Sequence, residues 1–405
     1  MALTIKLKKS KLSGEVIFPP SKSDSHRLLI AAALAEGESI IRGINRCDDV
    51  LATIASLRSL GADISLEGDT AIVKGIDVRG AEALGTLPVN ESGSTLRFLI
   101  PLALLTEKEV RFKGKARLFE RPLTIYEDIV NEYGGKFEIG NGELIIGGNL
   151  QSGEYRLRGN VSSQFITGLL FALPLLSDDS KIIIEPPFES RPYVNMTIDT
   201  LEKFGVKVRF DNENEITVFG NQKYTKTEEK VEGDWSGGAF LVALGLLHPE
   251  ISLGGYSTDT LQGDSACVDY LGKIKGGKAR LDISDCPDLG PILFAMAAYF
   301  GEAEFTGTRR LVIKESDRCG AMKAELEKLG ASVEIFENSV KIKGGNLHSP
   351  NVMLYGHNDH RIVMSLAVLC SILGGEIEGA EAVKKSYPEF FDVLSKLGMG
   401  VEISK

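Results

Sequence analysis

The sequence is poor in cysteine and lacks the motifs of common metal and nucleotide sites. Its five cysteines among 405 residues are odd in number and widely spaced, and no two form a CxxC pair. This usage disfavours a disulfide framework or a zinc site and favours a reducing compartment, the cytoplasm. The HExxH, EF-hand, Walker and dinucleotide-binding patterns are missing too. We therefore expect neither a metal ion nor a cofactor.

Long apolar runs and an excess of positive charge are also missing. The longest apolar stretches, Phe165–Leu176 and Ile362–Leu373, are too short to span a membrane and are expected to be buried helices. The first eleven residues lack the apolar segment of a signal peptide. A net charge of −10 disfavours nucleic acid and acidic membranes as partners. Any basic cluster must therefore serve a specific anion.

What the sequence does contain is a repeated pattern, in which a helix ends in an apolar residue and glycine and is followed by two short strands around a polar turn. A glycine after the last helical turn suits a left-handed cap, and the polar turn suits a hairpin. One copy, 268–284, is weak, and another, 394–404, is truncated. The marker glycines of the six copies are Gly61, Gly134, Gly205, Gly272, Gly330 and Gly398.

Upstream of each marker, the sequence predicts an apolar helix, a strand and an amphipathic helix, so that each unit is β-α-β-α-β-β. The apolar helices have no polar face and should be buried. Six units exceed one core, and three per domain is the symmetric partition. We expect a first lobe over 21–230 and a second lobe over 231–405 that residues 1–20 cross over to complete. The buried helices are expected to begin at Ser21, Ser92, Ser162, Asp234, Asp288 and Asp359.

The unusual side chains stand at the starts of these helices. The proline pair 19–20 ends the first strand, and Ser21 or Ser23 caps the helix that follows. Lys22 and Arg27 stand beside unpaired N–H groups and the positive end of the helix dipole, which together make an anion site. The same kinds of residue recur where the sequence predicts the other helices to begin, at 90–97, 120–122, 162–164, 189–193, 286–288, 314–318, 358–361 and 384–386.

Each of these features alone has an ordinary structural explanation. Ser162 and Asp359 could be plain helix caps, and Glu315 and Asp317 in a first helical turn would suit the helix dipole. Surface carboxylates could pair with each arginine, and His360 could be a structural histidine. The recurrence of cations at the same place in both halves is not explained in that way. Two such domains facing each other would direct six or seven cations into one cleft, suited to a ligand with several anionic groups.

Several of these segments resemble the 5-enolpyruvylshikimate-3-phosphate (EPSP) synthase family of enolpyruvyl transferases, in order and over nearly the whole length. The family implies an α/β (α+β) fold of two lobes, each of three βαβαββ units with buried inner helices, joined by a two-stranded hinge that closes on substrate. The matching segments are SKSDSHR (21–27), SGSTLR (92–97), ERP (120–122), VSSQF (161–165), SRPY (190–193), PD (287–288), KESDR (314–318), NDHR (358–361) and KSYPEF (385–390).

The resemblance implies transfer of the enolpyruvyl group of phosphoenolpyruvate to the 5-hydroxyl of shikimate 3-phosphate, with loss of phosphate from a tetrahedral intermediate. Asp288 is expected to be the base for the hydroxyl, and Glu315 with Lys22 to transfer the proton at the methylene carbon. The expected ligands of shikimate 3-phosphate are Lys22, Ser23, Arg27, Ser162, Ser163, Gln164, Ser190, Asp288 and Lys314. Those of phosphoenolpyruvate are Lys22, Gly93, Arg121, Gln164, Arg318, Arg361 and Lys385.

Two residues depart from the family pattern, and two other functions remain open. Glu91 stands where many bacterial members carry asparagine, and Val312 where arginine is frequent. The sister enzymes that act on UDP-N-acetylglucosamine share the architecture. They carry asparagine after the first lysine, where this sequence has Ser23 after Lys22. They also carry a reactive cysteine in the loop that corresponds to 113–121, where this sequence has no cysteine. A non-catalytic scaffold or nucleic-acid clamp is the other alternative, which the negative charge opposes. We expect small-molecule partners only and a monomer.

Overall fold

The structure, a computed structural model, describes residues 2–81 and 85–404. It divides into two compact units. The central unit is Pro20–Glu232, and the terminal unit combines Met1–Pro19 with Gly233–Lys405. Pro20, Val231 and Glu232 thus belong to the central unit, whereas the sequence-based boundaries put them in the second lobe. Each unit has its own apolar core.

Two strands of the terminal unit open the chain, and three repeats of the central unit follow. The opening strands are β1 (Thr4–Lys8) and β2 (Gly14–Ile17). The first repeat comprises α1 (Lys22–Leu34), β3 (Ala35–Glu36), β4 (Glu38–Arg42), α2 (Asp48–Ser59), β5 (Asp63–Glu67) and β6 (Thr70–Lys74). The second comprises β7 (Thr86–Asn90), α3 (Gly93–Leu104), β8 (Val110–Gly114), α4 (Ala116–Glu120), α5 (Thr124–Glu132), β9 (Lys136–Gly140) and β10 (Glu143–Gly147).

The third repeat completes the central unit and is followed by two short strands. It comprises β11 (Glu154–Arg158), α6 (Ser163–Ala172), β12 (Ser180–Glu185), α7 (Arg191–Lys203), β13 (Val208–Asn212) and β14 (Glu215–Val218). The short strands are β15 (Tyr224–Thr225), which pairs with β3, and β16 (Glu228–Lys230), which pairs with β4. The three four-stranded sheets have the orders β16-β4-β6-β5, β7-β8-β10-β9 and β11-β12-β14-β13.

The remaining elements belong to the terminal unit. They are α8 (Trp235–Leu247), β17 (Ile251–Gly254), α9 (Cys267–Lys275), β18 (Ala279–Asp282), α10 (Gly290–Phe300), β19 (Glu302–Thr306), α11 (Arg318–Lys328), β20 (Ser332–Ile335), β21 (Ser339–Lys343), β22 (Leu354–Tyr355), α12 (His360–Leu373), β23 (Gly375–Glu378), α13 (Phe390–Lys396) and β24 (Gly400–Ser404).

Two sheets of the terminal unit repeat the four-stranded plan, and one does not. The orders β18-β19-β21-β20 and β22-β23-β1-β24 match those of the central unit, with β1 supplying a strand that the last repeat itself lacks. The third sheet has two strands, β17 and β2. The predicted hairpin of the fourth repeat is therefore wrong, because the segment after α9 is β18 of the next sheet.

The marker glycines show the same difference between the fourth repeat and the others. Gly272 lies inside α9 and is not a left-handed cap, so its assignment as a marker is wrong. The other five have the positive φ that a left-handed cap requires, which glycine adopts without steric cost. Their φ angles are 110° at Gly61, 68° at Gly134, 78° at Gly205, 96° at Gly330 and 100° at Gly398.

The six apolar helices, α1, α3, α6, α8, α10 and α12, are buried along most of their length. Five of the six predicted caps are confirmed, since the side chain of each accepts a hydrogen bond from an N–H of the first helical turn. These caps are Ser21, Ser92, Ser162, Asp234 and Asp359. Asp288 is not a cap; it lies in a 3₁₀ turn, Pro287–Leu289, and α10 begins two residues later.

Among the residues that the structure describes, no helix combines the length and the apolar character that crossing a membrane requires.

The contribution of β1 to the terminal unit is testable in two neighbouring side chains. Ile5 is fully buried between β23 and β24, whereas Lys6 points to solvent and pairs with Glu376 at 3.1 Å. We expect Ile5→Ala to lower the free energy of unfolding by about 2–5 kcal/mol, and Lys6→Ala by less than about 1 kcal/mol. Urea denaturation measures both. Equal losses in the two variants would contradict an integral role for β1.

Candidate active site

The start of α1 places Lys22 against an acid of the neighbouring helix. Lys22 is the first residue of α1, directly after the Ser21 cap, and its Nζ lies 3.0 Å from Oδ2 of Asp49 on α2. The lysine side chain is largely buried. Thr95 of α3 donates to the Asp49 carbonyl oxygen at 3.3 Å, which connects the starts of α1, α2 and α3.

Arg27, one turn further along α1, is buried and joins that helix to α7. Its Nε donates to Oγ1 of Thr197 at 2.9 Å, and its Nη2 donates to the Tyr193 carbonyl oxygen at 2.9 Å. Its Nη1 donates to the carbonyl oxygen of Ser23 at 2.7 Å. Burial lowers the pKa of the guanidinium to about 10, which leaves it charged at neutral pH. Arg27 therefore fixes the Ser23 backbone as well as carrying charge.

The start of α3 is crowded by two arginines. A Cβ atom on Gly93 would lie 2.7 Å from Nη1 of Arg121 and 2.9 Å from Nη1 of Arg97, so a side chain at this residue would displace the ends of these arginines. Arg121 lies between α4 and α5, and not at a helix start as the sequence predicted. Arg97, which the prediction omitted, donates to Oε1 of Gln164 at 3.0 Å.

Arg97 has an unusual electrostatic environment. Burial, together with the nearby charge of Arg121, holds its pKa well below the ordinary value. Its contacts are with neutral acceptors, the Gln164 amide and the Pro122 carbonyl oxygen at 3.0 Å. The Gln164 amide also donates to Oγ of Ser94 at 3.0 Å, which fixes its orientation. An anion near Gly93 would relieve the repulsion between the two guanidinium groups.

Three predicted serines mark the starts of α6 and α7. Ser162 caps α6 and Ser163 is its first residue. Ser190 precedes α7 in a left-handed conformation, with φ at 57°, and is almost fully buried. Their hydroxyls and the N–H groups of the two helix starts are suited to hydrogen bonds with a phosphate.

In the terminal unit, the carboxylate of Asp288 forms ion pairs with three cations. Its Oδ1 lies 2.7 Å from Nη1 of Arg318 and 3.2 Å from Nζ of Lys314, and its Oδ2 lies 3.3 Å from Nη2 of Arg361. Nη1 of Arg361 also donates to the Asp288 carbonyl oxygen at 3.2 Å. The 3₁₀ turn that replaces a helix cap leaves this carboxylate available for the cluster.

Arg318 is shared between Asp288 and the cap of α12. Its Nε lies 2.8 Å from Oδ2 of Asp359, and its Nη2 donates to Oδ1 of the same carboxylate at 3.3 Å. Burial would raise the pKa of Asp359, but the Arg318 charge outweighs it and the pKa is lowered. The pKa of Arg318 is raised, since its carboxylate neighbours outweigh the effect of burial. Both groups stay charged although they are buried.

Glu315 pairs with His360. The Glu315 Oε2 atom lies 2.8 Å from Nδ1 of His360, and its Oε1 lies 3.9 Å from Arg318. Burial acts to raise the pKa of Glu315, but these neighbours and Lys385 hold it well below the ordinary value. The predicted place of Glu315 in a first helical turn is wrong, because α11 begins at Arg318 behind the Asp317 cap.

Lys385 and Arg361 complete this cluster. Lys385 ends a 3₁₀ turn, Ala380–Lys385, and its Nζ donates to the carbonyl oxygen of Asn358 at 2.6 Å. Arg361 is the second residue of α12, and its Nη2 donates to Oγ of Ser236 on α8 at 2.8 Å. The structure thus brings six predicted residues of the terminal unit into one network: Asp288, Lys314, Glu315, Arg318, Arg361 and Lys385.

A metal ion fits this network poorly. Glu315, Asp359 and His360 offer ligand atoms that lie within 4.8 Å of one another. Arg318, however, contacts both carboxylates and neutralises their charge, so an ion would have to displace a buried guanidinium. The arrangement is instead suited to binding anions beside carboxylates that accept or donate protons.

The comparisons with known proteins agree with this chemistry. A sequence model of EPSP synthase (3-phosphoshikimate 1-carboxyvinyltransferase) matches residues 7–394. The 3-phosphoshikimate 1-carboxyvinyltransferase of Clostridium perfringens is 41% identical over 415 residues, covering 96% of this chain and 97% of that protein. That of Clostridium novyi is 42% identical over 425 residues, covering 97% of each. These matches do not favour the enzymes that act on UDP-N-acetylglucosamine.

Two solved structures have the same fold over the full length of this chain. EPSP synthase from Acinetobacter baumannii has a TM-score of 0.80 at 22% identity and is covered over 100% of its length. The enolpyruvyl transferase NikO from Streptomyces tendae has a TM-score of 0.78 at 15% identity and is covered over 99%. From the family match and the identity to its relatives, the chain belongs to the EPSP synthase (3-phosphoshikimate 1-carboxyvinyltransferase) family.

Proposed function

We propose that this chain transfers the enolpyruvyl group of phosphoenolpyruvate to the 5-hydroxyl of shikimate 3-phosphate and releases phosphate. The observation that carries the proposal is the terminal-unit network, in which Asp288 and Glu315 share Arg318. The reaction needs proton transfer and the binding of anionic substrates. The two carboxylates are suited to the first, and the cations around them are suited to the second. Relatives that are 41–42% identical are named for this activity.

The phosphate of shikimate 3-phosphate is assigned to the three serines at the starts of α6 and α7, Ser162, Ser163 and Ser190. Lys22, Ser23, Arg27 and Gln164 of the central unit, and Asp288 and Lys314 of the terminal unit, are assigned to the rest of this substrate. Because Arg27 already donates to Thr197 and to two carbonyl oxygens, its proposed role includes fixing the Ser23 backbone.

Phosphoenolpyruvate is assigned to the cations that lie beside glycine, amide and carboxylate groups. The support in the central unit is the approach of Arg121 to Gly93, where a Cβ atom would lie 2.7 Å from Nη1 of Arg121. In the terminal unit, the guanidinium groups are planar and suit bidentate contacts with a carboxylate or phosphate. The assigned residues are Lys22, Gly93, Arg121, Gln164, Arg318, Arg361 and Lys385.

In the proposed reaction, the substrate hydroxyl oxygen adds to C2 of phosphoenolpyruvate while C3 gains a proton. The tetrahedral intermediate then loses the proton from C3 and phosphate leaves from C2. Asp288 takes the hydroxyl proton, and Glu315 with Lys22 serves C3. Since the pKa of Glu315 is held low, its carboxylate must gain a proton before it acts as an acid, and His360 at 2.8 Å is positioned to supply it.

We further propose a cytoplasmic monomer that uses no cofactor, nucleic acid or membrane partner. The five cysteines are free thiols and all are buried, which supports a reducing compartment. The net charge of −10 supports small anionic substrates held by local cations over polyanionic partners.

Phosphate release tests the activity directly. We expect the purified chain to release phosphate from phosphoenolpyruvate only when shikimate 3-phosphate is also present, because phosphate leaves from an adduct of the two. UDP-N-acetylglucosamine should not replace shikimate 3-phosphate. Release that needs no second substrate, or that needs the sugar nucleotide, would contradict the proposal.

The role of Asp288 is testable against a neighbouring acid. We expect Asp288→Asn to lower kcat roughly 100-fold or more, the usual contribution of a general base, while both substrates still bind. Asp285→Asn is the matched control, since Asp285 is exposed three residues earlier and should be replaceable without effect. Steady-state kinetics measure both, and near-normal turnover of Asp288→Asn would remove this residue from the mechanism.

A further inference from the structure

The turn that leads into α12 has a strained backbone. His357 and Asn358, which are consecutive and neither of them glycine, have φ angles of 50° and 52°. Residues with a side chain adopt the left-handed conformation less readily than glycine, although His and Asn tolerate it better than most, and two such residues in a row are held by surrounding contacts.

A single carboxylate, Glu325 of α11, holds this turn on two sides. Its Oε2 accepts a hydrogen bond from the Tyr355 backbone N–H at 2.9 Å, just before the turn. Its Oε1 lies 3.0 Å from Nε2 of His357, within the turn. Lys328, one turn further along α11, contacts the two oxygens at 2.9 and 2.8 Å.

Glu325 is charged although only 1% of it is exposed. Burial acts to raise its pKa, but hydrogen bonds from His357, Lys328 and the Tyr355 N–H outweigh burial and lower the pKa. Burying a charge costs free energy that could be avoided with an apolar side chain. The buried charge of Glu325 contacts a turn and not the apolar core, which indicates that the geometry of the turn matters.

The turn positions three groups of the terminal-unit network. The carbonyl oxygen of Asn358 accepts the hydrogen bond from Nζ of Lys385 at 2.6 Å. The N–H of Asp359 donates to the Gly356 carbonyl oxygen at 2.9 Å, so the turn also fixes the acid that holds Arg318. Arg361 follows two residues later in α12.

We propose that Glu325 is a positioning residue, which holds the 357–358 turn in its left-handed conformation and thereby places Lys385, Asp359 and Arg361. This inference rests on the proposed function for its kinetic consequence, because Lys385 and Arg361 are the groups assigned to phosphoenolpyruvate. Glu325 itself contacts no group of the network and acts only through the turn.

The first test compares two glutamates of the same helix. Glu325→Gln removes the charge and keeps the size, whereas Glu327→Gln removes only an exposed pair with Lys323 at 2.9 Å. We expect Glu325→Gln to raise the KM for phosphoenolpyruvate roughly ten-fold, the effect of losing charged hydrogen bonds. Its KM for shikimate 3-phosphate should rise less, because the three serines assigned to the phosphate of that substrate lie at the starts of α6 and α7 in the central unit. Glu327→Gln should match the wild type in both.

Hydrogen exchange provides a readout that does not depend on activity. Amides of the segment 354–361 should exchange faster in Glu325→Gln than in the wild type or in Glu327→Gln. If the wild type released no phosphate, the proposed function would fail, while this measurement would still test the hold of Glu325 on the turn. Unchanged exchange and unchanged KM values, or equal increases in both KM values, would overturn the inference.

A second variant tests the partner on the turn. His357→Asn keeps a residue type that tolerates the left-handed conformation, but its side chain is too short to replace the ring. We expect it to raise the KM for phosphoenolpyruvate in the same way. The double variant with Glu325→Gln should have a KM for phosphoenolpyruvate no higher than that of the more impaired single variant. Additive losses would contradict a shared action of Glu325 and His357. This variant also carries the test if Glu325→Gln fails to fold.

Discussion

The buried guanidinium of Arg318 is the constraint on which the terminal unit depends. The side chain is 1% exposed and contacts carboxylates from three separate segments, at Asp288, Glu315 and Asp359. Burying this cation without partners would cost several kcal/mol, and the three acids offset that cost. Once they are in place, the acids also order Arg361 and Lys314 through Asp288. A requirement of stability thus assembles the groups that the proposed chemistry uses.

The central unit uses the same helix starts with a different balance of charge. Arg97 contacts neutral oxygens and is repelled by Arg121, and Gly93 leaves room for both. A buried cation with only neutral partners gains more free energy from an incoming anion than a cation that an acid already neutralises. Repeats of one plan therefore provide two kinds of group: cations that favour an anion, and carboxylates among cations that suit proton transfer.

The sequence was sufficient for the features that depend on local rules. Buried helices follow from apolar segments without a polar face, and caps such as Ser92 follow from a hydroxyl before such a segment. Contacts between distant residues were beyond it. Asp288 has the local signature of a cap, and only the fold brings Arg318 and Arg361 to it. Gly272 has the local signature of a helix end, yet α9 continues past it. Glu325 is a plain helical glutamate in sequence, and its partners at the 357–358 turn are 30 and 32 residues away.

The coupling between Arg318 and Asp359 is the most direct test of the account. A double-mutant cycle with Arg318→Met and Asp359→Asn, followed by urea denaturation, measures it, and asparagine retains the ability to cap α12. Each single variant should lose about 3–5 kcal/mol of stability, because it removes one member of a buried ion pair. The account predicts a coupling free energy of at least about 2 kcal/mol. A coupling below about 0.5 kcal/mol, as for an exposed pair, would contradict it.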